Sequence, residues 1–237
     1  MAQQSVTPLS ERIGLGAREV VSLVGAGGKT TTLLRLGSEL FHVGHRVVMT
    51  TTTKMGLDQL PDWATVHRPK ETLSATGPVF VIGDISGEKV TGVAPEYVDE
   101  LFGAGVVDHI IVEADGARRR LLKAPAPHEP VIPLSTTIVV AIASLDAIGR
   151  PIREAAHRPE LVCRLTGQTQ DDSVTASDIA TVLSHPSGGL QGIPDAARVV
   201  AMVTKAQAGT QDAVSEILEQ LQGVDRIERV IVEGAGE

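Results

Sequence analysis

Apolar runs of four to six residues recur along the chain, at 20–24, 46–50, 79–82, 109–112, 137–142, 198–203 and 229–232. They are rich in β-branched residues and bounded by Gly, Pro or charged positions, as strands buried on both faces are. Between them, polar and apolar positions repeat with helical spacing at 29–43, 95–102, 159–165, 176–183 and 210–221. The helix opening at Ala176 has Thr175 or Ser177 available as its N-cap. Such alternation predicts an α/β fold with a doubly wound, mostly parallel sheet. No internal repeat or low-complexity linker divides the 237 residues, so they predict one domain, with a helical subregion at about 144–195.

Two stretches break the pattern. Residues 118–133 carry Pro125, Pro127, Pro130 and Pro133, and 149–159 is also irregular. Proline fixes φ and cannot donate to a ladder, so the first stretch is expected to be a surface loop.

Composition narrows the class. Hydrophobic residues make up 42% of the chain, yet there are only three Phe, one Tyr and one Trp, so the core must be built from Val, Ile, Leu and Ala. A net charge of −8 argues against a nucleic-acid surface, and the basic run Arg118-Arg119-Arg120 lies just past Glu113 and Asp115. A single cysteine, Cys163, excludes an internal disulfide and a Cys-based metal cage. The N-terminus lacks the basic and apolar regions of a secretion signal, and no apolar stretch nears the ~18 residues of a membrane span. These features predict a cytoplasmic protein without a membrane partner.

The most informative segment joins the first strand to the first long helix: Gly25-Ala-Gly-Gly-Lys-Thr-Thr31. Gly25, Ala26, Gly27 and Gly28 form a turn whose amides can curl around a phosphate, and the helix that follows adds its dipole. Lys29 would reach the β- and γ-phosphates, Thr30 would offer its hydroxyl to Mg²⁺, and Thr31 could bond the α-phosphate. A strict Walker A segment has a glycine where this chain has Leu23, so the loop is a shorter variant, close to the G-x-x-G-K-T-T form of Mur-type ligases.

Further candidates fall at strand ends, where doubly wound sheets bind ligands. Thr51, Thr52, Thr53 and Lys54 follow the second strand and could contact phosphate, magnesium or a second substrate. The strand at 109–112 ends in Glu113 and Asp115, as a Walker B strand does. Thr30 and Asp115 are the expected metal pair and Lys29, Glu113 and Asp115 the catalytic groups, though spacing leaves open which acid holds the ion and which orients a water. Arg118 and Lys123 could hold transferred phosphate or an anionic substrate. His128 and Glu129 have no metal-ligand spacing with a partner, and Asp146, where a crevice residue would sit after the fifth strand, and the lone His157 complete the candidates. Thr204-Lys-Ala-Gln207 stands where GTPases carry Asn-Lys-x-Asp. Lys205 can stack along a base, but the neutral Gln207 cannot accept equally from guanine N1 and N2. The expected ligand is ATP or GTP, with ATP favoured, together with Mg²⁺.

Taken together, the phosphate loop, Val48-Met-Thr-Thr-Thr-Thr-Lys-Met55, Val112-Glu-Ala-Asp-Gly-Ala-Arg118, Leu122-Lys-Ala-Pro125, His128-Glu-Pro-Val-Ile-Pro133, His157-Arg-Pro-Glu160, Pro186-Ser-Gly-Gly189 and Thr204-Lys-Ala resemble the YqeC-type family of selenium-dependent hydroxylase accessory proteins. That family often reads Asn-Lys-Ala-Asp at 204–207. The resemblance implies a P-loop NTPase-like fold and a role in maturing molybdenum hydroxylases, through handling of selenium or the molybdenum cofactor. Three function classes follow: an Mg²⁺-dependent NTPase or phosphotransferase, a nucleotide-dependent scaffold or switch docking on a client enzyme, and a ligase or kinase with a small acidic substrate.

Overall fold

The structure, a computed structural model, describes residues 7–73 and 77–234. Eight strands build one sheet: β1 (Glu19–Gly25), β2 (Val47–Thr51), β3 (Thr65–His67), β4 (Val79–Val81), β5 (His109–Glu113), β6 (Ile138–Ser144), β7 (Arg198–Ala206) and β8 (Arg229–Gly234). Their spatial order is β8-β7-β6-β1-β5-β2-β4-β3, and every pairing is parallel. A small separate sheet of Met55–Gly56, Lys89–Val90 and Ile85–Ser86 is antiparallel, and a single antiparallel bridge joins Pro151 to Ser173.

Every residue of β6 is buried, and β2 and β5 are buried throughout, which is why these runs read as continuous apolar text rather than alternation. Alternate side chains still face opposite layers. Val21, Leu23, Met49, Ile111 and Val140 pack under α1 (Leu9–Ile13) and α2 (Lys29–His42). Val20, Val48, Ile110, Val112 and Val139 join the opposite cluster. There they meet α3 (Pro95–Gly103), α4 (Ile152–Ala155), α5 (Pro159–Thr166), α6 (Ala176–Ser184) and α7 (Gln211–Leu221) through Val98, Ile152, Val162, Ile179 and Ile217. The helix at 176 is capped by Thr175, which accepts from Asp178 N at 3.1 Å while Asp178 accepts from Thr175 N at 2.9 Å. No helix among the described residues is long and apolar enough to cross a membrane.

One expectation is overturned. Residues 122–126 are buried rather than superficial, and Leu122–Lys123 forms a short parallel pair with Ala156–His157. Proline marks where this segment cannot join the main sheet, but Leu122 and Ala124 are apolar and belong to the core. The structure also adds β3 and α1, neither of which carries a long apolar run.

At the amino end of β5, His109 is fully buried, edge-on to His45 at 4.7 Å, with both ring nitrogens unpartnered. Burial, and then the neighbouring His45, push its pKa from 6.5 down to about 4. The unfolded chain therefore binds a proton between pH 6.5 and about 4 that the folded chain refuses. Stability is complete above that window and falls as pH drops through it. His157, lowered to about 4, adds a contribution of the same sign. Denaturant midpoints measured across this window should decline with acid, and His109→Phe should make the decline shallower.

Candidate functional site

The carboxyl ends of β1, β5, β6 and β7 converge on the segment between β1 and α2. Gly25 and Gly27 have φ of 94° and 82°. A Cβ at Gly25 would run into the Ile142 carbonyl oxygen, and one at Gly27 into Ser144 and the Leu121 carbonyl. Glycine here lets the turn press against the end of β6. Ala26 N donates to Ile142 O at 2.9 Å, and Thr204 Oγ1 donates to Gly27 O at 2.5 Å, so β6 and β7 brace the turn from beneath. No side chain caps α2 at Gly28. The first-turn amides of Lys29, Thr30 and Thr31 therefore point out of the helix end with its positive dipole, the arrangement that receives anions.

Lys29 is only 4% exposed. Its ammonium donates to Gly25 O at 2.6 Å and lies 4.0 Å from Glu113 Oε1. It also lies 3.0 Å from Asp115 Oδ1, but off the direction of a hydrogen bond, so that buried oxygen has an ion-pair contact and no hydrogen bond. Asp115 Oδ2 accepts from Gly25 N at 3.1 Å and meets Lys123 Nζ at 2.8 Å. Thr30 Oγ1 donates to Glu113 Oε2 at 2.8 Å and accepts from Gln59 Nε2 at 3.2 Å. Burial raises the Glu113 carboxyl above its ordinary range, with Lys29 and the Thr30 hydrogen bond opposing and Asp115 adding to the rise.

Beyond Asp115 the charges continue to alternate. Lys123, whose side chain is fully buried, reaches Glu129 Oε2 at 2.9 Å and Gly116 O at 2.7 Å, and Arg158 meets the same Glu129 oxygen at 2.6 Å. Burial alone would raise Glu129, but hydrogen bonds from Lys123 and Arg158 outweigh it and hold the carboxyl below its usual range. Lys123 and Glu129 thus spend their charges inside the protein.

The other expected residues divide. Thr51 Oγ1 donates to Glu113 O at 2.9 Å and Thr52 Oγ1 to Val131 O at 2.7 Å, so these hydroxyls fasten β2 to β5 and to the buried loop. Thr53 N donates to Thr51 Oγ1, and Lys54 is exposed. Arg118 is exposed in the left-handed region at φ 48°. His157 is half-buried, and burial, then the charges of Arg158 and Lys123, depress its pKa. His128 is exposed at the tip of its loop, and Asp146 lies in the 3-10 turn after β6. Lys205, at φ 66° beside an irregularity in the β7–β8 ladder, lines a small cavity with Gly27, Gly28, Thr31 and Thr204. Among the described residues, no group of three His, Cys, Asp or Glu could hold a metal ion. Gln59, Thr204 and Arg158 were not singled out as site residues by sequence; Thr204, inside the late Thr-Lys-Ala segment, and Arg158, inside His157-Arg-Pro-Glu160, had a textual signal, and Gln59 had none.

A family model described as YqeC protein matches residues 21–160, which include the phosphate loop, both acids and the buried loop. The chain belongs to the YqeC family. Among its relatives is the Escherichia coli (strain K12) protein named "Uncharacterized protein YqeC", 35% identical over 232 residues, covering 93% of this chain and 90% of the relative. The YqeC match thus holds the acids and the loop that this site is built from.

Removing the ammonium of Lys123 from this YqeC-family chain should be severe. Lys123→Met keeps the length of the side chain but removes the cation shared by the buried Asp115 and the half-buried Glu129, leaving them only Lys29 and Arg158, a loss of about 3 kcal/mol. Arg153→Ala, at an exposed ion pair with Asp171, should change stability by less than about 1 kcal/mol. Urea denaturation of both variants measures the contrast.

Proposed function

We propose that this protein binds a nucleoside triphosphate with Mg²⁺ and turns it over at the terminal phosphate, as an NTPase or phosphotransferase. The observation that carries the reading is the hydrogen bond from Thr30 to Glu113, beside uncapped amides and the ammonium of Lys29. Hard oxygen donors of this kind suit Mg²⁺. The contact favours Glu113 over Asp115 as the acid that holds the ion, with Thr30 as its companion. Bound Mg²⁺ would supply positive charge to the phosphate oxygens.

The remaining roles belong to the chain. Amides of residues 27–31 would bind phosphate oxygens. Lys29 would exchange Gly25 O and Asp115 for the β- and γ-phosphates. Asp115 Oδ1, already lacking a hydrogen bond, would then accept from an attacking water. In hydrolysis the water oxygen bonds to the γ-phosphorus, the bond to the bridging oxygen breaks, and the proton leaves to a carboxylate. Lys54 and Arg118, exposed at the ends of β2 and β5, suit an anionic second substrate. Gln207 favours ATP over GTP, since it lacks the paired acceptors that guanine requires. A place in maturing selenium-dependent molybdenum hydroxylases, with the enzyme or its cofactor as partner, follows from the family resemblance.

A second reading, a nucleotide-dependent switch that docks on a client enzyme, is favoured by the charge ladder from Lys29 to Arg158. Phosphate release measured with and without a molybdenum hydroxylase separates the two.

Lys29→Ala should lower phosphate release at least ~100-fold and abolish retention of nucleotide through native purification, with the circular dichroism spectrum preserved. Unchanged turnover in the folded variant would remove the mechanism.

A further inference from the structure

We propose that the cleft between α2 and residues 57–63 holds a second, uncharged, ring-bearing ligand, and that Gln59 couples this cleft to Thr30. The coupling rests on the phosphate-loop reading above.

The cleft measures about 610 Å³, within the range of small-molecule sites. One wall is the exposed flank of α2 from Thr30 to Ser38; the other includes Leu60, Pro61 and Trp63. Trp63 is the only tryptophan in the chain and is 44% exposed. A partly exposed indole in a cleft beside Leu34 and Leu60 offers aromatic surface to a flat ring. The charged groups of the lining are already matched: Asp58 pairs with Arg119, and Arg35 pairs with Glu39 at 2.9 Å and Glu233 at 2.6 Å. What remains to select a ligand is apolar surface, hydroxyls and one amide. That inventory fits a neutral heterocycle rather than an ion. The small cavity at Gly27, Gly28 and Lys205 lies among the phosphate-loop glycines, whereas the cleft reaches that loop only at Thr30 and Thr31.

Gln59 joins the two. Thr30 Oγ1 uses its proton toward Glu113 and a lone pair toward Gln59 Nε2. The second lone pair of that hydroxyl can ligate a cation, and a cation there draws electron density from the oxygen and repels the amide protons beside it, so a metal at Thr30 weakens the Gln59 hydrogen bond. The Gln59 carbonyl oxygen is fixed separately, accepting from Gly56 N at 3.0 Å. The released Nε2 therefore stays in the cleft wall, available to donate to whatever the cleft contains.

Trp63 makes the cleft its own reporter. Its emission should be titrated with adenosine, inosine, thymidine and nicotinamide, first on the bare protein and then on protein saturated with Mg²⁺ and a non-hydrolysable nucleotide. At least one probe should quench saturably in both states, and calorimetry should show that binding lost in Trp63→Leu. Gln59→Leu should weaken the probe about tenfold in the loaded protein only, the worth of one hydrogen bond. No saturable response to any probe, or a response erased by loading nucleotide, overturns the cleft as a separate site. Equal affinity in Gln59→Leu and wild type overturns the coupling. If no nucleotide is retained yet a probe still quenches, the cleft stands and the phosphate-loop reading falls.

Discussion

A lysine ammonium almost cut off from water sets the terms at the carboxyl end of the sheet. An isolated buried cation is untenable, so Lys29 needs the acids that end β5. Those acids are buried in turn. Asp115 draws in Lys123, Lys123 needs Glu129, and Glu129 is shared with the half-buried Arg158. Each buried charge calls for the next until the series reaches solvent. This is why residues 122–126, written with prolines, lie inside rather than outside: their lysine is a structural counter-ion. Apolar groups of similar volume often serve stability as well as buried ion pairs do. Stability alone gives no account of so many ionic groups here.

The fold was legible where one chemical demand wrote the text. Six buried strands show as apolar, β-branched runs because both of their faces are covered, and the half-buried edge strand β8 keeps a shorter run of the same kind. The turn at 25–31 shows as glycines followed by Lys-Thr-Thr because close approach to β6 forbids side chains. β3 was invisible for the opposite reason: its residues are mostly exposed at the sheet edge and carry no apolar run. Gln59 was equally hidden, since nothing in its neighbourhood marks it as the partner of a threonine 29 positions earlier.

Roles were less legible than places. The Glu-Ala-Asp sequence announces two acids at a strand end, but where the strand stops decides which meets Thr30: Glu113 is the last residue of β5 and Asp115 lies beyond it. Glu113 meets it, and Asp115 turns instead toward two lysines. Similarly, the row of threonines after β2 looks like a ligand-facing set, yet two of its hydroxyls are committed to main-chain carbonyls. A hydroxyl serves either purpose with the same letter in the sequence.

The strand order has a consequence for how the chain is made. β1 lies between β5 and β6, and Gly25 aligns with Ile142, more than a hundred positions later. The hydroxyl under Gly27 arrives later still, from Thr204. On a ribosome, the glycine turn emerges long before the segments that shape it, so the braced turn is among the last features to form. Until β6 has been synthesised, β1 waits with one open edge, and the slow closure of so distant a pairing leaves that edge exposed on the nascent chain.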